Sequence, residues 1–307
     1  MNYVLEYWRA IETGRVVVSK KVAQQYERLA REIEGPGRYV FDIEKANKPI
    51  RFIETFCKHS KGEWAGQPIK LELFQKAFIA ALFGFVDKDT GLRRFREAMF
   101  FCGRKNGKSV LLSGLALYML MADGEGGAEV YSLASKRDQA AILFDETHNM
   151  IKQNRYLAKH VRKRKSDLYF EATMSLFKPL AKNSNTLDGL NAHCVIIDEL
   201  HSIQDRNLYE VMRQSQSARQ QPLLITITTA GTVREAIFDD LYSYATQIAD
   251  GTFEDDTFLP VLYELDDKQE WTDPSAWPKA NPGLGTIKKL DDLELKVERA
   301  KNNPSEQ

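Results

Sequence analysis

The stretch from Phe95 to Ala122 restricts this chain more than any other. A short apolar run, Phe95–Phe101, passes into CGRKNGKS, and a Leu/Ala/Met-rich segment follows over Lys108–Ala122. A buried strand, a tight glycine turn and a buried helix in immediate succession belong to α/β architecture. The turn is also suited to hold a phosphate. Backbone N–H groups at a helix N-terminus converge on an anion, and the helix dipole favours negative charge there. Lys108 is placed to reach β- and γ-phosphates and the Ser109 hydroxyl to ligate Mg²⁺, while Arg104 and Lys105 add two cations to the same loop. The full phosphate-loop spacing asks for a glycine five residues before Gly107, and Cys102 stands there instead. A basic turn that merely opens a helix is the alternative reading at this point.

The rest of the chain fits an α/β frame. Residues 15–34 carry Val22, Tyr26, Leu29 and Ile33 at helical spacing, and Gly35-Pro36-Gly37 stops them. Residues 45–60 and 71–86 read as two further helices. Strands are expected at Ala128–Ala134, Cys194–Ile197 and Leu223–Thr229, helices at 136–158, 206–218 and 233–250, and a hairpin at 168–181. Strands alternating with helices of this length predict a mostly parallel central sheet flanked by helices.

A hydrolytic nucleotide site needs an acid beside the phosphate loop, and Cys194–Glu199 supplies it. Four apolar residues lead to Asp198 and Glu199 at the strand's C-terminal end, where ligands bind in open α/β sheets. Asp198 would hold Mg²⁺ through water, and Glu199 would orient or deprotonate the attacking water. Leu223–Gly231 ends in Thr228 and Thr229, hydroxyls that can sense a γ-phosphate at a strand tip; for Thr226 ordinary strand propensity suffices.

These elements, in this order, resemble the ATPase domain of the phage large terminase, the motor subunit of DNA packaging. The likeness runs from about residue 40 to the end. CGRKNGKS is similar to that family's deviant Walker A, which lacks the first glycine and carries an arginine just after it. The resemblance implies an ATP-binding loop of Gly103, Arg104, Lys105, Asn106, Gly107, Lys108 and Ser109, with Arg104 on phosphate in cis. VIIDE, followed by Leu-His, resembles the Walker B strand with its metal-binding Asp198 and catalytic Glu199. ITTAG resembles the coupling motif, at Thr228, Thr229 and Ala230. Residues 52–76 are similar to the region before Walker A, where the resemblance implies that Gln75 reads adenine. It implies further an ASCE-type P-loop ATPase with ATP and Mg²⁺. The implied partners are double-stranded DNA, a portal protein, a small terminase subunit and a homo-oligomeric ring on the procapsid, in the cytoplasm of an infected bacterial host. The expected organisation is an N-terminal helical region (1–90), an ATPase core (91–250) and a lid or linker (251–307), with the family's nuclease domain outside this chain.

Two other functions share part of this pattern. A helicase-like DNA-dependent ATPase would use the same loop, acid pair and glutamine, but the remaining length holds no second core of that kind. A nucleotide-gated adaptor that binds without turnover would have no use for Glu199. Lys plus Arg and Asp plus Glu are 43 each, so any polyanion must be held by a local patch rather than by net charge. Lys159–Lys165, with five Lys/Arg in seven residues, is a candidate for DNA phosphates or else a solvated helix end. From Asp250 to Asp273 there are nine acids and one base, Lys268, which reads as solvated surface, a lid or a docking face. Cys57 and His59 lack further ligand partners for zinc. The apolar stretches Ala77–Val86 and Val110–Ala122 are shorter than the roughly 20 residues that span a bilayer. Arg137, Arg206, Arg213 and Arg219 are all candidates for an arginine acting in trans.

Overall fold

The computed structural model describes residues 1–181, 189–203, 206–229 and 237–303, with only the backbone of Arg137. The N-terminal region is helical: α1 (Tyr3–Glu12), α2 (Lys20–Glu34), α3 (Ile43–Phe56) and α4 (Leu73–Gly84), with a small antiparallel ribbon of β1 (Tyr39–Phe41) and β2 (Phe85–Asp87). The helix expected from residue 15 begins at Lys20 because Ser19 caps it. The Ser19 hydroxyl accepts from Val22 N–H and donates to the Leu262 carbonyl at 2.9 Å, which ties this helix to the far end of the chain.

The core follows in chain order as β3 (Glu97–Phe101), α5 (Lys108–Met121), β4 (Glu129–Ala134), α6 (Arg137–Lys152), α7 (Arg155–His160), β5 (Val161–Lys163), β6 (Leu168–Phe170), β7 (Ser175–Ala181), β8 (Ala192–Asp198), α8 (Arg206–Gln214), β9 (Leu223–Thr228), α9 (Ile237–Ala249), β10 (Phe258–Leu262) and α10 (Leu290–Asn302). Eight strands form one sheet in the order β10-β3-β9-β8-β4-β7-β6-β5. The first six run parallel, and β6 and β5 close the edge antiparallel. Side chains alternate between two apolar layers, as the period of a strand requires. Ala98, Phe100, Cys194 and Ile196 face the helices α1–α7, whereas Met99, Phe101, Val195 and Ile197 face α8 and α9. The expected α/β class with a mostly parallel sheet is therefore the observed one. β9 stands between β3 and β8.

Four local readings change. The helix expected over 136–158 breaks at Asn154, whose side chain accepts from Tyr156 and Leu157 N–H and so starts α7. In the expected hairpin at 168–181, β6 and β7 do pair antiparallel, but β7 also pairs parallel with β4 and belongs to the main sheet. α1, which the sequence pattern did not single out, is capped by Asn2 and packs Val4 and Tyr7 into the core. The largest change lies in the acidic stretch. Phe258–Leu262 is a fully buried strand beside β3, so the sheet continues past the boundary expected at 250.

The acids around that strand are not merely solvated. Asp256 pairs with Arg94, Glu264 with Lys21, and Asp266 and Glu270 both with Lys279, while Asp255 accepts from Tyr244 and Thr257. Arg94 and Lys21 come from distant segments and Lys279 from just past the stretch, so a count of bases within it does not reveal them. No helix among the described residues is long and apolar enough to cross a membrane.

Candidate active site

Three strand ends lie side by side at the C-terminal edge of the sheet. Phe101 of β3 is in register with Thr228 of β9, and Ile227 of β9 with Asp198 of β8. The order β3-β9-β8 thus sets the phosphate loop, the two threonines and the acid pair in a row, at the edge where parallel sheets bind ligands.

The loop leaves β3 at the buried Cys102 and turns through Lys105 (φ 64°) and Gly107 (φ 76°) into α5. Successive N–H groups in such a turn form a concave anion site. Gly107 is favoured on two grounds. Its φ favours glycine, and a Cβ there would lie 3.1 Å from both Gln75 Nε2 and Ile287 Cδ1. Arg104, Lys105 and Ser109 are exposed and line a cavity of about 440 Å³ together with Lys108 and Glu199. Lys108 itself is only 9% exposed. Its Nζ makes no hydrogen bond and pairs with Glu199 Oε1 at 3.7 Å. An ammonium so poorly compensated is costly to bury, and a phosphate entering this cavity would provide the acceptors it lacks.

Glu199 has left-handed backbone (φ 55°), unusual for a residue with a side chain. Its N–H donates to the Ile227 carbonyl at 2.9 Å, which anchors the turn to β9. Thr229 Oγ1 donates to Glu199 Oε2 at 3.2 Å, and His201 Nδ1 lies 3.1 Å from the same oxygen. Thr228 Oγ1 meets His201 instead, so Thr229 is the threonine that touches the carboxylate. Ala230, the third residue of the expected coupling motif, lies outside the described residues. Burial, and then the neighbouring Glu199 charge, push the Asp198 carboxyl up to about 6, against the opposing pull of Lys108. Two crowded carboxylates with a nearby hydroxyl, Ser109, are the hard oxygen donors that Mg²⁺ takes.

A second cavity of about 740 Å³ adjoins the first, sharing Gly107, Val110 and Ile287, and Gln75, Ile69, His59 and Trp64 line it. Gln75 Oε1 accepts from Glu72 N–H at 3.0 Å at the start of α4, so its amide nitrogen is the group turned toward Gly107.

Sequence reasoning missed the C-terminal contribution to the loop. The WPKANPG turn at 277–283 packs against Gly103, whose N–H donates to the Ala280 carbonyl at 2.8 Å. A Cβ on Gly103 would fall 2.4 Å from Asn281 Oδ1. The Asn106 side chain is buried here, donating to the Gly103 carbonyl at 2.9 Å and accepting from Gly283 N–H at 2.9 Å. Lys288 Nζ donates to Asn281 Oδ1 at 2.6 Å. Asn106 therefore shapes the loop with its side chain, and the Gly103 N–H is already used. No local signal distinguishes Asn281 or Lys288 from other turn residues.

The remaining candidates are dispersed. Arg219 is 9% exposed and donates to the carbonyls of Gly127 and Asn191, just before β4 and β8, at the opposite edge of the sheet. Arg213 pairs with Glu97, the first residue of β3, at that same edge. Arg206 is exposed and pairs with Asp240; the side chain of Arg137 is not described. In the basic segment, Arg162 pairs with Glu171 and Arg164 with Asp167, which halves the free charge of its last four residues.

Comparison with known proteins points to a single family. The family model for the terminase large subunit ATPase domain matches residues 73–247, and that for the terminase large subunit endonuclease domain matches residues 252–306. The terminase large subunit of Enterobacteria phage HK97 is 28% identical over 267 residues, covering 85% of this chain and 51% of that protein. The terminase large subunit of Lactococcus phage p2 is 23% identical over 99% of this chain and 56% of its own length. The crystal structure of the HK97 bacteriophage large terminase superposes with a TM-score of 0.73, over 85% of this chain and 52% of that one. The chain thus spans about half the length of these relatives.

Proposed function

This chain belongs to the terminase large-subunit family through its ATPase domain, and we propose that it hydrolyses ATP to drive double-stranded DNA into a procapsid. The observation that carries this reading is the buried Lys108 ammonium, which has no hydrogen bond and faces Glu199 across a cavity at the sheet edge. Lys108 and the loop N–H groups receive the β- and γ-phosphates, with Arg104 on the exposed rim. Asp198 and Ser109 hold Mg²⁺, which when bound neutralises charge on the phosphate oxygens. Glu199 orients the attacking water, and Thr229 links that carboxylate to the tip of β9. The Gln75 amide nitrogen faces the second cavity and donates to an acceptor of the base. The portal, the small terminase subunit and a homo-oligomeric ring on the procapsid, in the host cytoplasm, complete the assembly. The stretch 251–307 gives β10 to the central sheet and, beyond it, acts as a lid and linker, and its acids at 255, 256, 264, 266 and 270 are engaged by bases and hydroxyls.

Phosphate release tests the enzyme directly. Turnover is expected to require Mg²⁺ and to rise with protein concentration, because an arginine supplied in trans is worth about 10³–10⁵ in related phosphoryl-transfer systems. Turnover that is fast and independent of concentration overturns the ring, and none at any concentration overturns the hydrolysis.

DNA is gripped at the edge strand β5 and the adjoining α7, where Lys159, Lys163 and Lys165 are exposed. Affinity is expected to be independent of sequence and to fall steeply with salt, with a log–log slope of about −0.9 per phosphate neutralised. Replacing Arg162, Lys163, Arg164 and Lys165 together by Ala should lower affinity and flatten that slope in a fluorescence-anisotropy titration. An unchanged slope places the DNA on another surface.

A further inference from the structure

We propose that His201 is a positioning residue for the general base, holding the Glu199 carboxylate so that one oxygen faces the phosphate cavity. The proposal rests on the reading of Glu199 as the water-orienting group. It begins with the tautomer. His201 Nδ1 lies 3.1 Å from Glu199 Oε2 and 3.1 Å from Thr228 Oγ1. Glu199 ionised is an acceptor only, and Thr228 Oγ1 already donates its proton to the Thr229 carbonyl at 3.1 Å. Both neighbours of Nδ1 are therefore acceptors, and Nδ1 must carry the proton, shared between them. The backbone N–H of His201 also points to Thr228 Oγ1, at 3.4 Å.

The consequence is an asymmetric carboxylate. Oε2 receives two donors, Thr229 Oγ1 and His201 Nδ1, while Oε1 has only the Lys108 ammonium at 3.7 Å. Once substrate phosphate takes up Lys108, Oε1 is the oxygen left to accept a water proton. Without the imidazole one of the two fixed donors is lost. The side chain then rotates on a backbone turn that is itself in a sparsely populated region, at φ 55°. Misplacing a positioned group by about 1 Å costs on the order of 10²-fold in rate. His201 also joins the acid turn after β8 to the tip of β9, so any shift of Thr228 is passed to the base through one ring.

Side-chain geometry supplies the test. The amide nitrogen of Asn can occupy the place of Nδ1, whereas that of Gln corresponds to Nε2. Steady-state phosphate release, nucleotide affinity by calorimetry and melting temperature are measured for H201A, H201Q, H201N and E199Q. H201A and H201Q should lose about tenfold or more in kcat with nucleotide affinity and melting temperature unchanged, and H201N should recover most of the rate. H201Q combined with E199Q should be no slower than E199Q alone. Should H201A fold poorly, the contrast between Gln and Asn decides. H201Q turning over like wild type, or H201N as slow as H201Q, overturns the positioning role. Normal turnover by E199Q would instead overturn the underlying assignment of Glu199.

Discussion

Lys108→Ala is expected to reduce phosphate release by at least ~10²–10³-fold, the scale for removing one preorganised group that stabilises developing charge, while the protein stays folded. The two halves have separate causes. The fold does not depend on the Lys108 head group, because Nζ makes no hydrogen bond and its one ion pair spans 3.7 Å. Removing a poorly compensated buried cation relieves desolvation as it loses attraction. The chemistry does depend on it, since no other cation lies both buried and at the start of α5. The acid pair would respond as well. Lys108 opposes the upward push that burial and Glu199 exert on Asp198, so in the variant the Asp198 carboxyl should titrate higher still. Lys108→Arg should not restore activity, because a planar fork cannot act as the compact charge that the loop surrounds. Phosphate release together with circular dichroism and a melting curve checks the prediction. Retained turnover with an intact fold would remove Lys108 from the site.

Glu199→Gln is expected to bind nucleotide with near-normal affinity and to hydrolyse it at least ~10²-fold more slowly, as for a lost general base. The amide keeps an oxygen that can accept from Thr229 Oγ1, so the turn between β8 and β9 is preserved, and Gln carries the same left-handed backbone cost as Glu. Only the basicity at Oε1 is lost. Asp198→Asn should behave differently, weakening Mg²⁺-dependent nucleotide binding because a metal-holding charge is removed from the strand end. Calorimetry with and without Mg²⁺, set beside single-turnover rates, separates the two. A Glu199→Gln variant that fails to bind, beside an Asp198→Asn variant that binds but does not turn over, would exchange the two roles.

Much of the site is legible in the sequence, and the reason is locality. The loop from Cys102 to Ser109 announces itself because strand, glycine turn and apolar helix are contiguous, and Asp198-Glu199 because four apolar residues precede it directly. Gln75 was reachable only through resemblance. Its partner Glu72 lies three residues away, but its proximity to Gly107 depends on how α4 packs beside α5. Lys159–Lys165 shows the opposite failure. A charge count suggested five free cations, and the fold places Glu171 and Asp167 beside two of them.

The α/β class, the strand–loop–helix, the acid pair at one strand end and the threonines at another are legible in the chain alone, since each is written in run length and spacing over a few residues. The remainder follows from long-range packing. It placed β9 between β3 and β8, which brings Thr229 onto Glu199 and Thr228 onto His201. It drew Phe258–Leu262 out of an acidic stretch into the central sheet, and set Asn281, Ile287 and Lys288 against the phosphate loop. It also tied Arg219 into the far edge of the sheet. In most of these cases the partners are separated by about 30 to 180 positions in the chain. Which of many equally suitable acids, amides or apolar runs meets a given group is then settled by strand order and layer packing, and neither has a local signature in the sequence.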